Sequence, residues 1–198
     1  MTENNTKSIQ LTVSEPAALG LIGLAVAALI IGSGYLGLTS GVDKSLMIPW
    51  ILFFGATSQI IAGTMEFKRN NIFGATVFTT YAMTMYSIAL TLFIIIFTDV
   101  NFDIKHYAFG LIAILVFSLI ATIASLMTNK ALYSILIAVD LAVILLIPHY
   151  LNGFNSQPAG FFLIVTSVLS FYTAAAILIN SMAGKTILPL GTPIWKPK

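Results

Sequence analysis

The sequence predicts an all-α integral membrane protein of six transmembrane helices, with both termini in the cytoplasm. Three observations carry that fold class. First, 58% of the residues are hydrophobic and only 8% are charged, with a mean hydropathy of +0.98. A soluble domain is about 25% charged, and a chain this apolar lacks the polar side chains to cover a water-facing surface. A disordered chain needs low hydrophobicity, which is absent here. Second, the apolar residues fall in six continuous runs, each near the ~20 residues that cross a bilayer as a helix. A membrane β-barrel would show short alternating segments instead. Third, the bases are unevenly placed. Lys7, Lys68, Arg69, Lys130, Lys185, Lys196 and Lys198 fall on one side, and only Lys44 and Lys105 on the other. The side richer in bases is cytoplasmic, and an even number of spans returns the chain to it.

The chain divides into a polar segment, residues 1–14, a membrane domain, 15–183, and a Gly- and Pro-containing tail, 184–198, expected to be extended. The first span covers about 16–38. Pro16 suits a first helical turn, where a missing N–H costs nothing. A cleaved signal would open on bases and carry a shorter apolar core, so this run reads as a retained span. Asp43 and Lys44 mark the following loop. The second span covers about 46–67 and ends at Glu66-Phe67-Lys68-Arg69-Asn70-Asn71. The third covers 72–97, before a polar loop with Asp99, Asp103, Lys105 and His106. The fourth covers 107–127, and Thr128-Asn129-Lys130 is a tight turn. The fifth covers 131–147 and is stopped by Pro148, because proline removes a helical donor. A loop from His149 to Gln157 leads to the sixth span, 158–182.

The formal net charge of +2 is too weak for nucleic-acid binding. The chain has no cysteine, which excludes disulfides and thiolate metal sites. His106 and His149 stand at helix edges and cannot alone hold a metal or a haem. No Walker loop, GxGxxG, Ser-His-Asp arrangement or HExxH is present. The sequence therefore predicts neither an enzyme nor an ATP-driven pump, and no cofactor.

Polar groups in hydrocarbon are costly, so they turn toward protein or water. In the second span, Gly55, Gln59, Gly63 and Glu66 share one face. The glycines allow close helix approach. The face is either a packing seam or the wall of a polar path. In the third span, Asn71, Gly74, Phe78 and Tyr81 share a face, with Thr80 and Thr84 beside it. Asp140 stands near the middle of the fifth span. A centred carboxylate costs ~2.5–3.5 kcal/mol on insertion scales, so it is protonated, hydrated or paired. It is a proton or solute site, or a neutral acid bonded to a neighbouring helix. In the sixth span Thr166, Ser170, Thr173 and Asn180 form a stripe suited equally to solute contact and to helix–helix hydrogen bonds. The first span is dense in small residues, among them Ala28/Gly32 and Ser33/Gly37 four apart, which favours tight packing within or between subunits.

Several of these residues form recognisable motifs. Ser14-Glu15-Pro16-Ala17-Ala18-Leu19-Gly20-Leu21 resembles the N-P-A-P-L-G-L signature of the acetate uptake transporter family. That family includes bacterial succinate–acetate/proton symporters and yeast ammonia/acetate exporters. The run from Gly55 through Gln59, Ala62, Gly63 and Glu66 to Lys68 is similar to the family's G-G-x-x-Q-x-x-A-G-x-x-E-Y-K. It continues as Asn71-Ile72-Phe73-Gly74 (N-T-F-G) and Phe78-Thr79-Thr80-Tyr81 (F-T-S-Y). The tail Thr186-Ile187-Leu188-Pro189-Leu190-Gly191 resembles T-V-L-P-I-G.

The resemblance implies six-helix subunits in a ring hexamer, each subunit with its own solute path. It implies movement of acetate and related monocarboxylates, sometimes succinate, with protons or by a channel-like route. It also implies a narrow point at which Tyr81 matches the family's Tyr, Leu24 stands at the position of a Phe, and Val139 at that of a Leu. Solute contacts carry over to Gln59, Asn71, Thr80, Glu15 and Leu19. Two motif positions differ: Glu15 replaces Asn and Ala18 replaces Pro. A carboxylate at the mouth repels anions unless it is protonated or paired. Asp140 stands where relatives often carry a neutral hydroxyl, and Glu66 and Asp140 are the candidate proton-coupling acids. The expected partners are a small carboxylate, protons, membrane lipid and further copies of the chain, in the inner or plasma membrane of a prokaryote. The rival reading is a non-conducting scaffold or sensor assembled through its glycine faces.

Overall fold

A computed structural model describes residues 13–197. The polar segment 1–14, apart from its last two residues, and the bases Lys7 and Lys198 lie outside the described residues. Six helices are long and apolar enough to cross a membrane: α1 (Ala17–Tyr35), α2 (Gly41–Lys68), α3 (Ile72–Phe97), α4 (Lys105–Ser125), α5 (Lys130–Asn152) and α6 (Gln157–Ala183). With no strand among the described residues, the protein is an all-α, multi-pass membrane protein.

The helix ends follow local chemistry. α1 stops at Tyr35, short of Leu38, because Gly37 adopts φ 82°. α3 is capped by Asn71, whose Oδ1 accepts the Gly74 N–H at 3.2 Å. α5 is capped by Asn129, whose Oδ1 accepts the Leu132 N–H at 3.0 Å. α2 is irregular. It opens as a tight turn (Gly41–Leu46) and widens into π geometry over Ile51–Thr57. The Thr57 hydroxyl donates to the Leu52 carbonyl, five residues back, at 2.9 Å. Wide turns of this kind cluster at functional sites.

One predicted boundary is corrected. Pro148 does not stop α5, which continues to Asn152 and ends on Gly153 at φ 73°. Proline costs the helix one hydrogen bond, to the carbonyl four residues back, and the turn beyond it holds. As a result Tyr150 sits on a helix rather than in a loop.

The helices pack as a ring in the order α1, α2, α3, α4, α5, α6, with α6 closing against α1. The α1–α6 contact is made by glycine. A Cβ at Gly32 would lie 3.0 Å from the Gly160 carbonyl oxygen, and one at Gly160 would lie 2.9 Å from that of Gly32. The Ser167 hydroxyl adds a 2.7 Å bond to the Ala25 carbonyl. The small residues of the first span thus serve contacts within the subunit at these positions. The α3–α4 contact is the thinnest in the ring. It is bridged by the Tyr81 and Ser118 hydroxyls, 2.7 Å apart.

The tail is extended and held down. Asn180 Nδ2 donates to the Leu188 carbonyl at 2.8 Å, and its Oδ1 accepts the Ile187 and Leu188 N–H groups at 2.7 and 3.0 Å. The Ala131 N–H donates to the Leu190 carbonyl, and the Ile194 and Trp195 N–H groups to that of Leu126. Asn180 therefore holds the tail motif rather than a solute.

Candidate solute pathway

Two cavities enter the ring from opposite ends. At the end where the described residues begin and finish, called the terminal side, a cavity of about 60 Å³ is lined chiefly by Leu21, Leu24, Gln59, Glu66, Phe78 and Tyr81. At the other end, a cavity of about 90 Å³ is lined by Tyr35, Lys44, Met47, Ile51, Tyr107 and Tyr150, among others. Each has room for several waters, which need ~10–15 Å³ apiece by this measure. Between Leu24 and Ile31 on α1, and between Tyr81 and Ile88 on α3, about 10 Å of helix lines neither cavity.

The closed layer in that interval is packed chiefly by apolar groups. Gly55 of the wide turn faces α1 and α3: an added Cβ would lie 2.8 Å from Ala27 Cβ and 3.3 Å from Met85 Cγ. Leu24 and Tyr81 form the terminal-side edge of the layer. Val139 is buried in the same apolar cluster as both, one turn along α5 from the cavity residues Ile135 and Leu136.

Two polar side chains face the terminal-side cavity without being fully satisfied. Gln59, wholly buried, donates from Nε2 to the Gly55 carbonyl at 2.9 Å, while its Oε1 has no partner. Glu66, also wholly buried, accepts the Asn71 amide on Oε2 at 3.0 Å, while its Oε1 has no partner. Arg69 Nη1 stands 3.9 Å from Glu66 Oε2 and 2.6 Å from Glu15 Oε2. Glu15 is therefore paired, which answers the repulsion expected of a carboxylate at this mouth. The Glu66–Asn71 pair joins the end of α2 to the start of α3, so the tight loop between them builds the cavity wall.

Asp140 lines neither cavity. It lies behind Tyr81. Its Oδ1 accepts the Ser118 hydroxyl and its Oδ2 the Thr122 hydroxyl, the latter at 2.6 Å. Ser118 in turn meets the Tyr81 hydroxyl. The predicted acid is thus connected to the predicted constriction through one intermediate side chain.

Of the other expected residues, Asn71 lines the terminal-side cavity. Leu19 is 43% exposed on the outer surface of α1, and Thr80 lines neither cavity. Helical geometry explains Leu19: Ala17, Leu21 and Leu24 form the inward stripe, and Leu19 is set well round the helix from it. On α6, Thr166 and Thr173 donate to carbonyls one turn back on their own helix. Sequence reasoning missed Ser118 and Thr122, although Ser118, Thr122 and Ser125 form a polar stripe in an otherwise apolar run. It also missed the outer tyrosines, where the Tyr35 and Tyr150 hydroxyls are 2.7 Å apart and the Tyr107 ring lies 4.8 Å from that of Tyr150.

A helix ring hollowed from both ends and closed by a thin apolar layer is the build of a membrane channel or carrier. The chain belongs to the GPR1/FUN34/yaaH family, whose profile matches residues 2–191. It is 26% identical to the succinate-acetate/proton symporter SatP of Escherichia coli K12 over 187 residues, which cover 90% of this chain and 96% of that one. It is 26% identical over 199 residues to an uncharacterized protein of Methanothermobacter thermautotrophicus, covering 93% of this chain and 97% of the relative. It is 25% identical over 207 residues to acetate permease A of Emericella nidulans, covering 93% of this chain and 68% of the permease. The solved structure of the bacterial acetate channel SatP matches the fold with a TM-score of 0.83 at 24% identity, over 91% of this chain and 100% of that one. These findings bear out the family resemblance read from the motifs.

Proposed function

We propose that this protein moves acetate and similar small monocarboxylates, and the dicarboxylate succinate, across a cell membrane through a path in each subunit. The observation that carries this reading is the pair of opposed cavities separated by a closed layer about 10 Å deep, with Leu24 and Tyr81 at its terminal-side edge. A carboxylate entering the terminal-side cavity meets the second N–H of the Gln59 and Asn71 amides, beyond those given to Gly55 and Glu66, and these replace part of its water. It then crosses a short apolar neck formed by Leu24, Tyr81 and Val139. A single methyl group is cheap to pass there, and a bulky acid does not fit. Protonation of the anion removes most of the crossing cost, with Glu66 and Asp140 as the acid groups of a coupled route. A scaffold that conducts nothing has no use for two cavities aimed at one layer.

In this reading the termini face the cytoplasm, the membrane is the inner or plasma membrane of a prokaryote, and the working form is a homo-oligomer, a hexamer by family likeness. The protein is a transporter rather than an enzyme. The test is uptake of labelled acetate into liposomes holding the purified protein, driven by a pH step. Uptake well above that of empty liposomes is expected. Equal uptake refutes the reading.

A further inference from the structure

We propose that Asp140, acting through Ser118, decides whether the Tyr81 hydroxyl donates to or accepts from a solute in the terminal-side cavity, and so couples protonation of Asp140 to the binding of a carboxylate there. The proposal rests on the transport reading above and deepens it.

The argument is a count of protons. A serine hydroxyl has one, and when Asp140 is ionised that of Ser118 is given to its Oδ1. The 2.7 Å bond between Tyr81 and Ser118 must then be made by Tyr81 donating. The other Asp140 oxygen accepts Thr122 at 2.6 Å. An ionised Asp140 can only accept, so it permits one direction along the wire, with every hydroxyl proton turned toward it. Tyr81 has no other hydrogen-bond partner among the described residues. Its remaining position is left to whatever fills the cavity its ring lines. In this state it presents a lone pair, which suits the O–H of a neutral acid and opposes a carboxylate.

A proton on Asp140 removes the restriction. The acid can then donate to Ser118, Ser118 to Tyr81, and Tyr81 into the cavity. A carboxylate there selects the reversed wire, and the reversed wire requires the proton. Linkage makes the preference mutual: anion and proton each strengthen the binding of the other.

The surroundings leave Asp140 without a competing charge. α6 carries no Asp, Glu, Lys, Arg or His, and its one titratable residue, Tyr172, donates to the Pro189 carbonyl. On α4, Lys105, His106 and Tyr107 lie at least about 16 Å along the helix from Ser118. On α5, Lys130, His149 and Tyr150 lie about 14–15 Å from Asp140, and Tyr133 about 10 Å. Tyr81, on α3, belongs to the wire itself. No Lys, Arg or His forms an ion pair with Asp140 among the described residues.

Two readouts on the full-length protein in liposomes test this. The first is the infrared C–O stretch of Tyr81, assigned with ring-labelled tyrosine as the band lost in Tyr81→Phe. This band distinguishes a donating from an accepting phenol without needing transport. In the wild type, acetate should shift it only at acid pH. In Asp140→Asn, whose amide allows both directions, acetate should shift it at every pH. In Ser118→Ala, which cuts the wire, the pH dependence should vanish. The second is the initial rate of acetate uptake. At the alkaline end Asp140→Asn should exceed the wild type by about tenfold, the rate value of one hydrogen bond to a charged solute, with a flat pH profile. A band and a profile in Asp140→Asn that track the wild type would overturn the proposal. If the wild type moves no acetate, the transport reading falls, and the band alone still decides the wire. Should Asp140→Asn not fold, Ser118→Ala carries the same decision.

Discussion

Replacing Gln59 with leucine separates a conducting wall from a packing seam. The two side chains have similar volume, so the apolar surroundings are kept. The variant loses the bond from Nε2 to the Gly55 carbonyl, worth about 1 kcal/mol. It also removes the buried Oε1 that has no partner, and leaving such an atom unsatisfied costs about 1–3 kcal/mol. The two effects sum to between about zero and 2 kcal/mol in favour of the variant. Transport should move the opposite way. If the amide replaces water around a passing carboxylate, its loss costs about 1.5–3 kcal/mol at the barrier and lowers uptake by about ten- to a hundredfold. The thermal midpoint of the detergent-purified protein, followed by tryptophan fluorescence, gives the first quantity. Labelled acetate uptake gives the second. An unchanged uptake with a lowered midpoint would refute the reasoning and return Gln59 to a purely structural role.

Gly55→Val should place methyl groups against Ala27 and Met85, where even a Cβ lies at 2.8 and 3.3 Å. Uptake should fall to the level of empty liposomes, and overpacking should cost about 1–3 kcal/mol, read by the same melting assay. Glu15→Gln breaks the 2.6 Å pair with Arg69, whose side chains are 31% and 39% exposed. Stability should change by less than about 1 kcal/mol, while the acetate KM falls by up to about fivefold as a negative charge leaves the mouth. Asn180→Leu removes the three hydrogen bonds that hold Ile187 and Leu188, and trypsin should cut after Lys185 faster than in the wild type.

The six spans were legible because lipid imposes a single requirement, about 20 apolar residues in a row. Their ends were less so. Pro148 reads as a stop from local propensity, yet α5 runs on to Gly153. The tight opening turn of α2 was invisible because Gly41 to Leu46 carries loop-like residues. The stripe of Gly55, Gln59 and Glu66 led to the cavity wall because a shared polar face on a buried helix has few destinations. Asp140 was visible as an anomaly, but its connection to Tyr81 was not. That link depends on Ser118 and Thr122 arriving from a different helix, and a single small hydroxyl in an apolar run carries little signal. Leu19 shows the converse: a motif match does not say which way a position faces, and Leu19 lies on the outer surface of α1.

The thinness of the closed layer has an electrical consequence. If water reaches both cavities, the transmembrane voltage drops across only about 10 Å of protein, and not across the ~30 Å of the hydrocarbon slab. A univalent anion then meets nearly the whole potential at the neck, about 2.3 kcal/mol for each 100 mV. A cell that is negative inside would impose this barrier on acetate entering and spare the neutral acid, and the thin septum concentrates that difference at the neck.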